Sequence, residues 1–465
     1  MKTIIRTRLF IAVFICVFAN IHSLGQNMFD FIRHDFICDG FAYQINKEDS
    51  STVMLVNDDD EGYFNCTYSG AIVIPEQITY DSKTYTVNKI GSQAFWNCTG
   101  VTSILIPESI IEIGGSAFSY TSITSVVIPK SVTTMGPFAF WECNKLEDVI
   151  WNPIRCNGWP ASGDQPFYKT GVKTFTFGDS VELIPEGLGN GLSRVKSLVI
   201  PPSVKTIEYG GLINCSGLEE IVIPETVDSV FTMSLAGCHG LKRVVWNTPS
   251  SIDYIYYSPF GRNYFYENLE EFVFGNKVWR IPNILCWSLG IKHIIVPDSV
   301  REIGRRAFEA CENAEDIIIG SSVERIEEKA FFECFNVSKI YSKIKDPKGV
   351  YYDLTHNEDY NTYIVDEEYD IFGRINKETC ILYVPQGTLS DYQTTAPWSD
   401  FLNIVEHHPA DTNLDGFVTS ADATVVYDLL LGIDEAAAAA SDVNGDGSVT
   451  VADITAIYNI LMGDE

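Results

Sequence analysis

Residues 127–151 read VIPKSVTTMGPFAFWECNKLEDVIW. A short β-branched run closes on Pro129. A Ser-Val step follows at Ser131 and Val132, then an Ala-Phe pair at Ala139 and Phe140, then a cysteine at Cys143 and a second apolar run ending in Trp151. The two runs alternate apolar and polar residues, as a half-buried strand does. Strand, turn, apolar return and next strand together make one repeating unit.

The unit recurs. LIPESIIEIGGSAF, VIPPSVKTIEYGGL, VIPETVDSVFTMSL and VPDSVREIGRRAF follow the same order. The residues that close each apolar run are Pro75, Pro107, Pro129, Asn152, Gly178, Pro201, Pro224, Asn247, Gly275, Pro297, Gly320, Ser342 and Pro385. Eight of the twelve gaps between them are 22 or 23 residues, and the others (32, 26, 28 and 43) read as loop insertions. Proline cannot donate to a ladder, and Gly and Asn turn easily, so each anchor ends a strand. A period of this size belongs to a solenoid whose coils close no core alone and are stable only when stacked.

The period gives the cysteines a place. Cys98, Cys143, Cys215, Cys238, Cys311 and Cys334 occupy one slot of the repeat and should form an inward column. Free thiols filling space are the favoured state. Disulfides between column neighbours stay open, subject to geometry. Cys38, Cys66, Cys156, Cys286 and Cys380 lie off the column, and a Cys38–Cys66 bridge also stays open.

The strings IPESIIEIGGSAF, WNCTGVTSI, the opening 25 residues quoted above and VPDSVREIGRRAFEACENAEDI resemble the BspA-type leucine-rich repeats of bacterial surface proteins. The resemblance implies a mostly β solenoid with a curved parallel sheet on one face, over residues 71–405, behind an N-terminal cap region at 26–70. It implies adhesion or partner recognition, with no single ligand. Coils from about 152 to 293 are degenerate, with WNPIRCNGW and YIYYSPFGRNYFYEN replacing regular returns. Trp151 and Trp246 occupy equivalent strand positions. They are candidates for a ligand face, with core filling as the competing role.

The chain has 465 residues and a net charge of −30. That charge excludes a nucleic-acid or polybasic membrane-surface role, which needs clustered Lys and Arg. Lys2, Arg6 and Arg8 precede the apolar run Leu9–Ala19, and Ser23 and Gly25 put small residues before a cut. Residues 1–25 therefore read as a secretory signal peptide, with no transmembrane segment expected in the mature chain.

The tail changes character. From Asp411 onward there are eleven acidic residues and no Lys or Arg. DTNLDGFVTSAD (residues 411–422) and DVNGDGSVTVAD (442–453) match position for position. In the first, Asp411, Asn413, Asp415, the Phe417 carbonyl and Asp422 form a candidate oxygen-ligand set. In the second, the set is Asp442, Asn444, Asp446, the Ser448 carbonyl and Asp453. Gly416 and Gly447 allow the sharp turn. This spacing suits two calcium ions, and folding of the segment should depend on them. Each loop runs into an apolar helix, ATVVYDLLLG or ITAIYNILMG.

Residues 409–465 resemble a type I dockerin, a small all-α module of two loop-helix halves. The resemblance implies a cohesin-like partner, with Ser420, Ala421, Val451 and Ala452 at the loop positions that contribute to partner choice. Tyr427 and Tyr458 hold matching helical slots, as contacts or as core.

The expected function is a non-catalytic, secreted or surface-attached protein. It would dock through calcium while its repeat face recognises a host protein or glycan. Two alternatives stand beside it: a carbohydrate-binding or accessory component of a polysaccharide-degrading complex, and an enzyme with an unrecognised glycosidase-type carboxylate pair. No HExxH, GxSxG or phosphate-loop motif occurs.

Overall fold

The structure is a computed structural model. It describes residues 34–58, 66–159, 164–249, 253–254, 256–261, 266–352, 370–408, 410–413, 418–431, 441, 443–444 and 449–462. The expected signal peptide lies outside the described residues.

The chain is a parallel-strand solenoid of about 13 turns followed by a small helical unit. Each regular coil carries two strands. The longer ones form the main ladder: Ser125–Ile128, Asp148–Trp151 and Thr174–Phe177 pair in parallel. So do Glu220–Ile223, Arg243–Trp246 and Glu271–Phe274. The last stack runs from His293–Val296 to Asn403–His407. A second ladder of two-residue strands, such as Glu302–Ile303 beside Arg325–Ile326, lies on the return side.

The anchors turn the chain as their chemistry requires. The carbonyls of Pro129, Pro201 and Pro297 accept the N–H of Val132, Val204 and Val300, which closes a tight turn. The serine of the motif then ties coil to coil. Ser109, Ser203 and Ser299 donate Oγ–H to the carbonyls of Val87, Val181 and Val278 one coil earlier, at 2.7–2.8 Å. Further along, backbones of successive coils nearly touch. A Cβ on Gly114 would lie 2.3 Å from Ser92 N, and one on Gly136 would lie 2.2 Å from Gly115 N.

The Ala-Phe pair builds the core. Ala94, Ala117 and Ala139 are buried where the next coil crosses. Phe95, Phe118, Phe140 and Phe167 stack ring on ring at 5.1–5.3 Å. Phe308, Phe331 and Phe372 repeat the ladder at 5.4–5.5 Å. Each buried Phe contributes roughly 1.5–3 kcal/mol through area alone.

Between these ladders the coils do lose regularity. Leu188, Leu212, Leu235 and Cys286 are all buried in this stretch, and the strand before Glu220–Ile223 shrinks to one bridge at Ser197. The aromatic-rich segment compensates by filling the core. Tyr254, Phe260 and Tyr266 are buried, and the two tyrosines donate to the carbonyls of Val230 and Leu235 at 2.8 and 2.7 Å.

The ends are closed differently. Phe36–Cys38, Phe41–Ile45 and Thr52–Val56 form an antiparallel meander, and the last of them pairs with Lys83–Ile90 of the first coil. At the other end Trp398 is buried and donates to Tyr352 Oη at 2.6 Å, beneath the strand Asn403–His407.

Two expectations need correction. Cys98 is not a free thiol of the column, nor does Cys66 pair with Cys38. Cys66 and Cys98 form a disulfide and Cys38 is free. The ladder aligns Ile72 with Ile104, which brings the segments just before them side by side. The other column cysteines are buried thiols.

Trp151 and Trp246 do not face a ligand. Both are 0% exposed. Each ends a strand in the inward register, with Val149 or Val244 two residues earlier on the same side. Trp151 packs among Trp159, Phe167 and Phe175, and Trp246 against Phe272.

Candidate functional site

The chain leaves the last solenoid strand directly into the first acidic loop. The Asp411 N–H donates to the His408 carbonyl at 2.9 Å. His407 packs edge-on to Tyr341 and Tyr383, and burial lowers its pKa. It belongs to the junction between the solenoid and the tail.

The helices Ser420–Leu430 and Val451–Met462 carry the two halves. Their common core is small: Ala410, Ala423, Val426 and Ile457, with Val418, Val443, Val449, Ile454 and Ile460 packed against it. Val418 and Val449, Ala423 and Ile454, and Val426 and Ile457 hold matching positions of the two halves, so the helices pack on each other.

Each helix starts the same way. Thr419 accepts the Ala421 N–H on its side chain at 3.1 Å, and Asp422 Oδ2 accepts the Thr419 N–H at 2.7 Å. In the second half Thr450 accepts from Ala452 at 3.1 Å, and Asp453 Oδ2 accepts the Thr450 N–H at 2.8 Å. These reciprocal caps satisfy amides that a helix start leaves unpaired. Thr419 and Thr450 were missed in the sequence, although a Thr three residues ahead of an Asp is the capping signal.

The closing carboxylates also reach back into the loops. Asp422 Oδ1 accepts the Asn413 N–H at 3.0 Å. Asp453 Oδ1 accepts the N–H groups of Val443 and Asn444 at 2.9 and 3.1 Å. Thr412 Oγ1 adds a bond to the Asp422 carbonyl at 2.8 Å. The structure therefore brings loop positions 3 and 12 together in both halves. Asp415, Phe417, Asp442, Asp446 and Ser448 lie outside the described residues.

The donor set fits a hard cation. Asp422 and Asp453 are 0% exposed. Buried carboxylates need a compensating positive charge, and the segment from Asp411 onward contains no Lys or Arg to supply one. Asp453 Oδ1 already accepts two amides, whereas its Oδ2 accepts one and keeps a lone pair.

The opposite faces of the helices are open. Ser420, Ala421, Val451, Ala452, Tyr427 and Tyr458 are all exposed. The tyrosines are therefore surface and not core. Leu431 and Met462, unremarked in the sequence, extend the same face.

On the solenoid, the outward strand positions hold an unexpected apolar column. Val73, Leu105, Val127, Ile150, Val199 and Val222 are exposed, and Thr176 interrupts the series on the coil after Ile150. Parallel sheets are ordinarily covered on both faces. An uncovered aliphatic column on one is a feature of interaction surfaces. Charge pairs run beside it: Glu147 with Lys173, Glu219 with Lys196 and Lys242, and Arg243 between Glu220 and Glu271. Those acids are solvent-facing, whereas Glu328 is buried against Arg305.

Comparison with protein families gives six copies of the BspA-type leucine-rich-repeat region, at residues 63–155, 161–285 and 280–346. The chain belongs to the BspA-type leucine-rich-repeat family. Residues 409–462 match the dockerin type I domain, so this BspA-type protein carries a dockerin at its C-terminal end. No curated protein matches the chain.

Solved structures similar to it include a leucine-rich-repeat protein from Bacteroides ovatus, 20% identical, with 66% of this chain and 94% of that one covered and a TM-score of 0.37. A leucine-rich cell surface protein from Faecalibacterium prausnitzii is 22% identical, with 66% and 94% covered and a TM-score of 0.28. The pneumococcal vaccine antigen PcpA is 14% identical, with 80% and 98% covered and a TM-score of 0.31.

Both domain types are non-catalytic as classes. Type I dockerins bind calcium and cohesin partners. Both types are typical of extracellular or cell-surface proteins. Among the described residues no helix is long and apolar enough to cross a membrane.

Proposed function

We propose that this BspA-type protein is an exported recognition module. Its dockerin plugs into a cohesin-like domain, and its solenoid face presents a binding surface to a macromolecule outside the cell. The observation that carries the docking half is the duplicated loop-and-cap arrangement around Asp422 and Asp453, each backed by an exposed helix face.

One calcium ion would be held in each half. Asp411, Asn413, Asp415, the Phe417 carbonyl and Asp422 would form the first site. Asp442, Asn444, Asp446, the Ser448 carbonyl and Asp453 would form the second. Bound calcium neutralises the clustered carboxylates and fixes the loops against the helix starts. Ser420, Ala421, Tyr427, Val451, Ala452 and Tyr458 then form the docking face.

Residues 1–25 would direct export, 26–70 would cap the solenoid, 71–405 would form its coils and 409–465 the plug. Adhesion is the role that best suits the exposed aliphatic column between Val73 and Val222. A glycan-binding role loses Trp151 and Trp246, which are core, and retains the exposed Tyr256 and Tyr257 of the aromatic-rich segment.

The test is retention of the full chain on immobilised cohesin domains, with calcium or with EGTA. Retention in calcium and release by EGTA is the expected result. Equal retention in both, or none in either across a cohesin panel, would overturn the docking half.

A further inference from the structure

Three pairs of cysteines stand one coil apart, two of them in register. The first, Cys66 and Cys98, precedes the aligned Ile72 and Ile104 across a register shift between Gly70 and Ala71. The ladder aligns Glu220 with Arg243, with Cys215 and Cys238 equally far ahead of each. It aligns Asp316 with Lys339, with Cys311 and Cys334 likewise placed. The first pair is already a disulfide, with its Cα atoms 5.1 Å apart. The other two pairs are buried thiols.

In-register positions on adjacent strands are about 4.7–4.9 Å apart. That lies within the roughly 4.4–6.8 Å that a disulfide spans between Cα atoms. The four thiols also lean the same way along the stack. Cys215 Sγ donates to Gly189 O at 3.7 Å and Cys238 Sγ to Leu212 O at 3.2 Å. Cys311 Sγ donates to Cys286 O at 3.2 Å and Cys334 Sγ to Phe308 O at 3.3 Å. Each acceptor belongs to the preceding coil. Cys238 therefore points toward the coil of Cys215, and Cys334 toward that of Cys311. Cys143 leans likewise, toward Phe118 O at 3.0 Å, but its side-chain neighbour there is Thr121 at 3.3 Å. It is a built-in control.

We propose that Cys215–Cys238 and Cys311–Cys334 are inter-coil disulfide sites, closed by thiol–disulfide exchange while the coils assemble. The oxidant is a disulfide, either a small one such as oxidised glutathione or the oxidised form of a dithiol oxidoreductase. One cysteine thiolate attacks a sulfur of that disulfide and forms a mixed disulfide. The partner thiolate then displaces the remaining half. The pair loses two protons and two electrons and gains one S–S bond, while the incoming disulfide becomes two thiols.

Timing follows from burial. Burial pushes the Cys311 thiol well up and Cys334 up to about 12, and hydrogen bonding with Cys238 together with burial raises Cys215. Once stacked, Cys215, Cys311 and Cys334 are therefore poor nucleophiles. Closure belongs to assembly, and protein folded in reductant stays open.

The full chain is unfolded, then refolded either in a glutathione redox buffer or in dithiothreitol. Free thiols are alkylated in denaturant, disulfides are reduced, and the released thiols are alkylated with a second reagent. Glutamyl endopeptidase is used because no Lys or Arg separates Cys215 from Cys238, whereas Glu219, Glu220 and Glu225 do. In the redox-refolded sample, Cys215, Cys238, Cys311 and Cys334 should carry only the second label, and unreduced digests should hold 215–238 and 311–334 linked peptides. Cys143 should carry the first label.

Cys215→Ser should free Cys238 for the first label and leave the 311–334 link intact. First-reagent labelling of all four cysteines in soluble, redox-refolded protein would overturn the proposal. So would links that join Cys143 as readily as the in-register partners.

Discussion

Asp422 accepts the Thr419 N–H at 2.7 Å with one oxygen and the Asn413 N–H at 3.0 Å with the other; Asp453 accepts from Thr450 and Asn444 at 2.8 and 3.1 Å. Both carboxylates are fully buried. One side chain thus joins the third residue of its loop to the first turn of its helix, and the chain does this twice. Truncation exposes the connection. Asp422→Ala leaves buried amides unpaired, at about 1–3 kcal/mol. In scanning calorimetry of the full chain, the transition of the helical tail should fall while that of the solenoid stays put. An unshifted tail would show that Asp422 organises nothing.

The docking face and the calcium loops are separable. Tyr427→Ala with Tyr458→Ala removes two exposed rings and no loop ligand. Retention on cohesin should drop at least about tenfold, a loss of about 1.4 kcal/mol or more, with calcium uptake unchanged. Undiminished retention would place the docking face elsewhere on the module.

Inward and outward strand positions should respond oppositely. Trp151→Ala empties a packed site and should destabilise the solenoid by about 3–5 kcal/mol in urea unfolding. Val127→Ser, on the exposed column, should stay within about 0.5 kcal/mol of the parent. If Val127→Ser destabilised as much as Trp151→Ala, the column would be structural and not a presented surface.

His293 gives the main ladder a pH dependence. Its Nδ1 lies 2.9 Å from Asp316 Oδ2, and that hydrogen bond raises the imidazole pKa. The folded chain holds the proton more tightly than the unfolded one. The stabilisation is complete below the unfolded value of about 6.5 and is lost as pH rises through the folded value. The pair is partly exposed, so its worth is at most about 1 kcal/mol. Urea midpoints of the parent and Asp316→Asn should differ at about pH 5.5 and converge near about pH 9. A gap that widens with pH would contradict this.

Much of the architecture was legible because it repeats. A period of 22 or 23 residues marks the coils, and two matching loops mark the tail, without any contact being known. The sequence reading leaves Trp151 between a ligand face and the core, although the deciding signal is there. It lies two residues beyond Val149, so strand alternation puts both on one face, and that face is inward. The serine of the Pro-x-Ser-Val step has no role that the sequence of one coil assigns. Its hydroxyl bond to the preceding coil is a contact between repeats, which the sequence of one repeat cannot display. The Cys66–Cys98 bridge escaped for a related reason. The gap between Pro75 and Pro107 is 32 residues, and the insertion hides that both cysteines precede aligned strands.

The decisive measurement is a calorimetric titration of calcium into the chelator-treated full chain. Saturable heat with about two ions per chain, falling to one in Asp422→Asn and in Asp453→Asn, is the expected outcome. A flat titration, or one that both substitutions leave unaltered, would contradict the calcium-built plug.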